Sequence, residues 1–308
     1  MKSEPSQHTF PPSLFGLLAG LTLGWGVNWP MMKLVISEMQ PLHFRAFCLL
    51  GGAMGLLAIS RLKGLSVRVP KGQWPRLVVV ALFNITAWNV LAIYGVSLMA
   101  SGRASILGYT MPAWSVLLST WILGEPFTKR RAAGVMLGLL GMGLLMGNEI
   151  HAVGRSPLGA VLMTGAALCW AFANVTMKRW PVHLPATAYV GWQMTIGVIP
   201  VLAVALTWEA GSFNPFILSL GPMFAVFYAL LIGYVFCYYA WTKIVVTAPV
   251  GVSSLAVMMT PVVGVFGGIL ILGEKPHWQD FAALIAVLGS LATVMFPPRK
   301  PKASRSSV

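Results

Sequence analysis

The sequence predicts an all-α integral membrane protein in which ten transmembrane helices form two five-helix repeats of inverted topology. Of its 308 residues, 57% are hydrophobic and 9% are charged, which makes the chain far more apolar than an average soluble domain. The apolar residues fall into runs close to the roughly 20 residues that cross a bilayer core about 30 Å thick. The pattern Ile-Leu-Gly-Glu occurs twice, ending at Glu125 and at Glu274, which indicates two copies of one unit.

The apolar runs occupy most of the chain. The predicted spans are 14–36, 42–62, 76–99, 103–123, 131–147, 157–178, 186–207, 219–242, 250–272 and 279–296. The first repeat then covers 14–148 and the second 156–296, between a cytoplasmic tail at 1–13 and a basic tail at 297–308. Strand-period alternation is absent, which disfavours a β-barrel. The first span is too long for the core of a signal peptide, so we expect it to be retained.

The inverted arrangement follows from the number of spans in each copy. A proline precedes each glutamate of the repeated pattern by thirteen positions, at Pro112 and Pro261. Because five spans is an odd number, the second copy starts on the opposite face of the membrane, as in carriers that bind substrate between inverted repeats. Further identities recur at a spacing of 145 residues: Trp25 with Trp170, Lys33 with Lys178 and Tyr94 with Tyr239.

The basic residues predict the orientation of the spans. The net charge is +14, and with a cytoplasmic amino terminus sixteen of the 21 Lys and Arg residues face the cytoplasm and five face outward. The positive-inside rule therefore places both termini in the cytoplasm. We expect the tail Arg299–Arg305 to lie near anionic lipid and not to bind nucleic acid.

Prolines within spans are candidate hinges. Pro112 and Pro261 lie near the middle of spans four and nine, and Pro30 lies in span one. A proline in a helix frees the carbonyl four residues earlier, here those of Gly108 and Val257. An unpaired carbonyl in lipid is costly, so each kink should face a cavity or a packed neighbour. Both readings, a substrate contact and a packing kink satisfied by a nearby hydroxyl, stay open.

At this point the chain resembles the drug/metabolite transporter superfamily, and within it the EamA-type ten-helix carriers. The segments that carry the likeness are Trp25–Lys33, Arg103-Ala104-Ser105 with Pro112, Gly124-Glu125, Ser253-Ser254 with Pro261, and Gly273-Glu274. The resemblance implies a multi-pass carrier of the bacterial inner membrane that exports amino acids or related metabolites. The 12 tryptophans make the chain most similar to the aromatic amino-acid exporter branch.

Polar and aromatic side chains well inside the spans are the candidate substrate contacts, because a polar group that faces lipid is disfavoured and tends to point inward. We predict a substrate site formed by Trp25, Asn28, Asn84, Trp88, Tyr109, Trp114, Trp170, Asn174, Tyr234, Tyr238, Ser253 and Ser254. Trp29, Asn89, Thr110 and Thr260 are further candidates, and about half of all these residues should line the cavity. Tryptophans near span ends, at Trp74, Trp121, Trp208 and Trp278, are expected to form interface belts.

Charged residues are predicted to be absent from the cavity. All seven acidic residues lie outside the spans or at their edges, and we expect a structural or interfacial role for His43. Proton coupling through a buried carboxylate is therefore disfavoured, and facilitated diffusion of a neutral or zwitterionic solute by alternating access is the leading mechanism. Proton-coupled drug or metabolite efflux stays open. A sugar-phosphate or nucleotide-sugar antiporter is another alternative, for which Arg103, Lys178 or Lys243 would have to bind phosphate.

The remaining function classes lack the residues that they need. A membrane-embedded enzyme requires an acid pair, a Ser with a His, or a zinc cluster within the bilayer, and the spans contain none of these. We expect no disulfide, no metal and no cofactor. Glycines at four-residue spacing, including Gly134 and Gly138, predict close helix contacts within one chain, and we expect a functional monomer.

Overall fold

Helices account for the regular structure of the chain. The computed structural model describes residues 12–151, 157–211, 214–247 and 250–295, and these ranges contain no strand. The helices are α1 (Pro12–Val35), α2 (Pro41–Leu62), α3 (Trp74–Leu98), α4 (Ser101–Leu123), α5 (Lys129–His151), α6 (Leu158–Arg179), α7 (Ala186–Trp208), α8 (from Leu220 to Thr247), α9 (Val250–Leu272) and α10 (Trp278–Met295). A single turn of 3₁₀ helix, Pro215–Ile217, precedes α8.

The length and apolarity of the helices identify a membrane protein. Within the described ranges, α2, α3, α4, α6, α7 and α8 are long and apolar enough to cross a bilayer. Large apolar side chains cover the outside of the bundle: Trp121, Leu270 and Ile285 are 83%, 82% and 71% exposed. An apolar exterior of this kind would be costly in water and suits contact with lipid. Trp74, Trp208 and Trp278, which the sequence assigns to interface belts with Trp121, are also exposed.

The two Ile-Leu-Gly-Glu segments form the same helix ending. Gly124 and Gly273 adopt left-handed φ angles of +68° and +66°, a conformation that costs little only for glycine. Each glycine ends its helix, α4 or α9, and the backbone amide of the following glutamate bonds back to the last turns, from Glu125 to Ser119 and from Glu274 to Gly268. The repeated pattern therefore stops the helix and places a carboxylate beyond its end.

Two helices contain a wide π-helical segment that the sequence analysis did not anticipate. The segments are Leu82–Ala87 in α3 and Ala229–Phe236 in α8. They lie at corresponding places in the two halves, since 84 and 229 are 145 residues apart. Insertions of this type shift the helix face and occur often at functional sites.

The strongest contacts between helices recur when each helix is replaced by the one five places away. The contact of α1 with α9 has its counterpart in that of α6 with α4, and the contact of α3 with α6 in that of α8 with α1. The same shift exchanges α2 with α7 and α5 with α10, so the contact within each of these two pairs is unchanged. Glycines allow the helices to approach closely. A Cβ at Gly26 would lie 2.4 Å from Val263, and one at Gly197 would lie 2.5 Å from Ile85.

Gly134 and Gly138 of α5 pack against neighbouring helices of the same chain. A Cβ at Gly134 would lie 2.1 Å from the hydroxyl of Thr293 in α10, and one at Gly138 would lie 2.7 Å from Ala113 in α4. These glycines therefore bring α5 against its own neighbours, which agrees with the expectation of intramolecular contacts.

Candidate functional site

A small cavity of about 80 Å³ lies between helices of the bundle. Both halves of the chain contribute to it, through α1, α2, α3 and α4 and through α6 and α8. It is lined by Trp25, Asn28, Trp29, Met32, Arg45, Trp88, Asn89, Ala92, Tyr109, Met111, Trp170, Gly233, Tyr234 and Tyr238.

Half of the residues that line the cavity are aromatic. The ring centroids of Trp88 and Trp170 are 5.2 Å apart, and those of Trp25 and Tyr238 are 5.5 Å apart with an edge-to-face orientation. The indole of Trp25 donates a hydrogen bond of 3.1 Å to the carbonyl of Gly233, within the π-helical segment of α8. Such contacts hold large planar surfaces in place, and planar surfaces suit flat apolar groups and ammonium ions.

One charged side chain lies in the cavity wall, and this corrects the sequence analysis. Arg45 in α2 is only 3% exposed. Its Nη1 donates to the hydroxyl of Tyr234 at 2.8 Å, and its Nη2 contacts the sulfur of Met32 at 2.7 Å. The prediction of a cavity without buried charge is therefore wrong. Arg45 is the fifth residue of its helix, where snorkelling to the interface is usual, and sequence alone does not reveal that neighbouring helices enclose it.

A chain of hydrogen bonds extends from this guanidinium into the first half. The hydroxyl of Tyr234 accepts from Arg45 and donates to Oδ1 of Asn89 at 2.5 Å, and Nδ2 of Asn89 donates to the carbonyl of Ile85 at 2.8 Å. Asn89 and Tyr234 are 145 residues apart, so equivalent positions of the two halves meet here. The chain fixes Tyr234 and Asn89 in one orientation.

The structure brings together seven of the twelve predicted contact residues. Trp25, Asn28, Trp88, Tyr109, Trp170, Tyr234 and Tyr238 line the cavity, together with the further candidates Trp29 and Asn89. Ser253 and Ser254 lie outside the residues whose side chains the structure describes.

Three predicted contact residues lie elsewhere. Asn84 is buried and donates to Oε1 of Gln193 in α7 at 2.7 Å. Trp114 packs against the core, away from the cavity lining. Asn174 lines a separate cleft beside Glu125 and Lys178. The one-turn spacing of Asn84 and Trp88 predicts that both side chains lie on the same face of the helix. The π-helical segment Leu82–Ala87 changes the angle between them, so they lie on different faces.

The three prolines predicted to be hinges differ in whether they interrupt their helix. At Pro112 the helix α4 is interrupted, because a turn at Tyr109 and Thr110 separates its two α-helical parts, Ser101–Gly108 and Met111–Leu123. Helices α1 and α9 continue through Pro30 and Pro261 without such an interruption.

At one end of α4, side chains from other helices bind the α3–α4 turn. The carboxylate of Glu274 accepts from the backbone amides of Ser101 at 2.6 Å and Gly102 at 3.1 Å. The ammonium of Lys33 donates to the carbonyls of Val96, Ser97 and Met99 at 2.8 to 3.0 Å. An anion at the start of a helix and a cation at the end of another are both stabilised by the helix dipoles.

At the other end of α4, the equivalent residues bind each other. Glu125 forms an ion pair with Lys178, and it accepts from Arg131 at 2.6 Å. Lys178 and Arg131 lower the pKa of the Glu125 carboxyl below its usual value, so the carboxylate is charged at neutral pH. Because α4 has 23 residues at about 1.5 Å each, the Glu125 and Glu274 carboxylates lie roughly 34 Å apart along its axis.

Two other carboxylates are buried at helix ends. Glu209 accepts from the backbone amide of Leu42 at 3.0 Å, and it contacts Nδ1 of His43 at 3.0 Å. His43 therefore contacts a carboxylate at the helix end, and its structural or interfacial role stays a prediction. Asp280 pairs with Arg103 at 2.8 Å. Among the residues described, no group of three or more His, Cys, Asp or Glu side chains could hold a metal.

The family model and the similar proteins that match this chain all describe membrane transporters. The sequence model of the EamA-like transporter family matches the chain twice, over residues 12–147 and 157–296. The chain is 26% identical to a Bacillus subtilis protein described as an uncharacterized transporter, YoaV, over 85% of this chain and 89% of that protein. It is 24% identical to the uncharacterized inner membrane transporter YedA of Escherichia coli K12, over 93% of both. A solved crystal structure shares the fold with a TM-score of 0.65 and 19% identity, and the match covers 92% of this chain and 96% of that one.

Proposed function

We propose that this chain, which belongs to the EamA-like transporter family, exports amino acids, including aromatic ones, and similar small zwitterionic metabolites across the bacterial inner membrane. Membership of the family makes the chain a membrane transporter. The aromatic lining of the cavity carries the proposal for the substrate, since Trp25, Trp88, Trp170 and Tyr238 come together there from the two halves of the chain. Flat rings offer apolar contact to an aromatic side chain and cation–π contact to an ammonium group.

The proposed mechanism is alternating access by two inverted five-helix repeats, with both termini in the cytoplasm. Support comes from the two matches of the family model, one in each half, and from the helix contacts that are preserved when each helix is exchanged for the one five places away. In carriers of this design the substrate site lies between the repeats, and rocking of one repeat against the other opens it to either face.

The charged residues at the helix ends suggest how the two faces alternate. At one face Glu274 and Lys33 bind the α3–α4 turn. Glu125 and Glu274 are 149 residues apart. The same spacing separates residues 101 and 102, at the start of α4, from residues 250 and 251, at the start of α9. We therefore propose that Glu125 leaves Lys178 and binds the start of α9 when the Glu125 face closes, while Glu274 releases the start of α4.

The absence of an acid in the cavity lining supports facilitated transport. Within the described residues, the cavity wall includes no Asp or Glu that could exchange a proton for substrate. The alternative of a phosphate-carrying antiporter needs several free cations, yet Arg103 is bound by Asp280 and Lys178 by Glu125 at the helix ends. The guanidinium of Arg45 is the cation that lines the cavity.

Counterflow in proteoliposomes tests the proposal. Vesicles loaded with unlabelled L-phenylalanine, L-leucine or glucose 6-phosphate are diluted into the corresponding labelled compound, with and without a protonophore. We expect accumulation of phenylalanine that the protonophore does not change. Counterflow of glucose 6-phosphate alone would contradict the substrate proposal, and a loss of transport with protonophore would contradict facilitated diffusion. Trp88→Ala should reduce the phenylalanine signal, whereas Trp121→Ala, on the apolar exterior, is the matched control.

A further inference from the structure

We infer that Arg45 is the anchor for a carboxylate group of the transported molecule. This inference rests on the proposed transport function and narrows it, because it requires every good substrate to carry an anionic group. The observation behind it is a guanidinium that is buried in the cavity wall and has only neutral partners.

The neighbours of Arg45 leave its charge uncompensated. Its hydrogen-bond partners are the hydroxyl of Tyr234 and the thioether of Met32, and a thioether is a weak acceptor. The guanidinium carbon also lies 5.5 Å from the centroid of the Phe44 ring, which is uncharged. Its Nε has no hydrogen-bond partner, and in the part of the chain that the structure describes no carboxylate bonds to the guanidinium. Arginine cannot shed its proton in a protein, so burial does not remove the charge. A buried cation without an opposite charge is strongly unfavourable, above all within a membrane.

A carboxylate matches the charge and the unused hydrogen-bond donor of this guanidinium. The Nε and one terminal nitrogen of a guanidinium form an edge that binds the two oxygens of a carboxylate with parallel hydrogen bonds. Tyr234 holds the opposite part of the side chain, and Asn89 in turn fixes Tyr234. The guanidinium is therefore oriented before the ligand arrives, which reduces the ordering that binding requires.

The rest of the cavity suits the other parts of an amino acid. The Oδ1 atom of Asn28 is buried without a hydrogen-bond partner and is a suitable acceptor for an ammonium group. The faces of Trp25 and Tyr238 are suitable for cation–π contact or for an apolar side chain. The carboxylate at Arg45 and the ammonium at Asn28 would give a zwitterion two separate anchors.

Analogues of one substrate test the inference in the unaltered protein. The probes are L-phenylalanine, phenethylamine, which lacks the carboxylate, and 3-phenylpropionate, which lacks the ammonium. Each is measured by inhibition of phenylalanine counterflow and by quenching of tryptophan fluorescence in purified protein. We expect phenethylamine to bind about 10- to 100-fold more weakly than phenylalanine, as for the loss of hydrogen bonds to a charged group. Equal binding of the two compounds would overturn the inference.

Variants of Arg45 locate the effect. We expect Arg45→Gln to bring the affinity ratio of phenylalanine to phenethylamine close to one, and Arg45→Lys to give an intermediate ratio, because lysine keeps the charge and loses the planar fork. The exposed Arg68→Gln is the matched control and should keep the ratio of the unaltered protein. The ratio does not depend on expression level, and the analogue series alone decides the outcome if Arg45→Gln does not fold.

The two proposals fail in different ways. If phenylalanine is transported and Arg45→Gln keeps the full preference for the carboxylate, the anchor at Arg45 is refuted while the transport function stands. If no amino acid is transported but 3-phenylpropionate quenches fluorescence in the unaltered protein and not in Arg45→Gln, the anion site stands and the amino-acid function is refuted.

Discussion

At the residue scale, the polar chain of Arg45, Tyr234 and Asn89 is the most specific part of the site. A buried hydroxyl that accepts from a charged group and donates to an amide is satisfied on both sides. Asn89 and Tyr234 were identified as candidate residues from the sequence, whereas Arg45 was not. The sequence shows that a polar residue occupies a span, but the direction of its side chain depends on which helices surround it.

Removal of the Tyr234 hydroxyl should weaken the binding of carboxylates. In Tyr234→Phe the guanidinium loses one oriented acceptor, and we expect phenylalanine to bind about 10-fold more weakly, a loss typical of a hydrogen bond to a charged group. Fluorescence quenching measures the affinity. Tyr189→Phe is the matched control, because the hydroxyl of Tyr189 is buried without a hydrogen-bond partner. An equal loss in both variants would contradict a specific role for Tyr234.

Gly268 should be required for the contact between Glu274 and α4. A Cβ at this position would lie 2.2 Å from Oε2 of Glu274 and 2.9 Å from the hydroxyl of Ser101. We expect Gly268→Ala to displace the carboxylate and to lower the free energy of unfolding by about 1–2 kcal/mol, as for a lost helix cap. A thermal unfolding assay in detergent measures the change. Gly143→Ala, where a Cβ would meet nothing within 4 Å, should be neutral or stabilising, and the reverse order would contradict this account.

At the scale of single elements, the repeated prolines and the π-helical segments show what periodicity can and cannot predict. Pro112 predicts a distortion in α4, and the helix is interrupted at Tyr109 and Thr110. Pro261 occupies the equivalent position, yet α9 continues through it. Neither π-helical segment has a local signature in the sequence, because the extra residue is accommodated by contacts with neighbouring helices.

Replacement of the repeated prolines should slow transport more than it reduces insertion. Pro112→Ala restores an amide donor and allows α4 to straighten, which should hinder bending at the cavity. We expect the rate of phenylalanine counterflow to fall several-fold in Pro112→Ala and in Pro261→Ala at comparable amounts of inserted protein. Pro200→Ala in α7 is the control for a proline within a helix. Unchanged rates in Pro112→Ala and Pro261→Ala would remove both positions from the mechanism.

At the scale of the whole molecule, the proposed mirror relation of the two halves makes predictions about the two faces. Glu274 and Lys33 are bound to the α3–α4 turn, whereas Glu125 and Lys178 are bound to each other. The first pair therefore binds the α3–α4 turn at one face, while at the other face Glu125 and Lys178 form an ion pair.

Accessibility labelling should place the two glutamate motifs in different compartments. Phe127 and Lys275 follow the two motifs and are exposed, so Phe127→Cys and Lys275→Cys are suitable reporters. We expect a membrane-impermeant maleimide to label Lys275→Cys from outside intact cells and Phe127→Cys only after permeabilisation, in agreement with the positive-inside rule. Labelling of both from the same side would refute the inverted repeat.

Neutralisation of the two glutamates should shift the conformational equilibrium in opposite directions. Glu274→Gln weakens the contacts with Ser101 and Gly102, so we expect the Glu274 face to open and Ser101→Cys to be labelled faster in that background. Glu125→Gln removes the ion pairs with Lys178 and Arg131, and it also removes the proposed cap for α9. We expect it to slow transport without an increase in labelling at Ser101→Cys. Faster labelling in both variants would contradict the alternating caps.

The sequence by itself determined the class of the molecule, since apolarity and run length are local properties that select a helix in a bilayer. It also identified the repeated motif and most of the aromatic residues of the cavity, because many of them share spans with polar residues, which are disfavoured in contact with lipid. Only the tertiary structure decided that Arg45 lies in the cavity, that Asn84 and Asn174 lie outside it, and that Glu274 and Glu125 have different partners. These outcomes depend on contacts between residues far apart in the chain, and such contacts cannot be predicted from composition or from the spacing of residues.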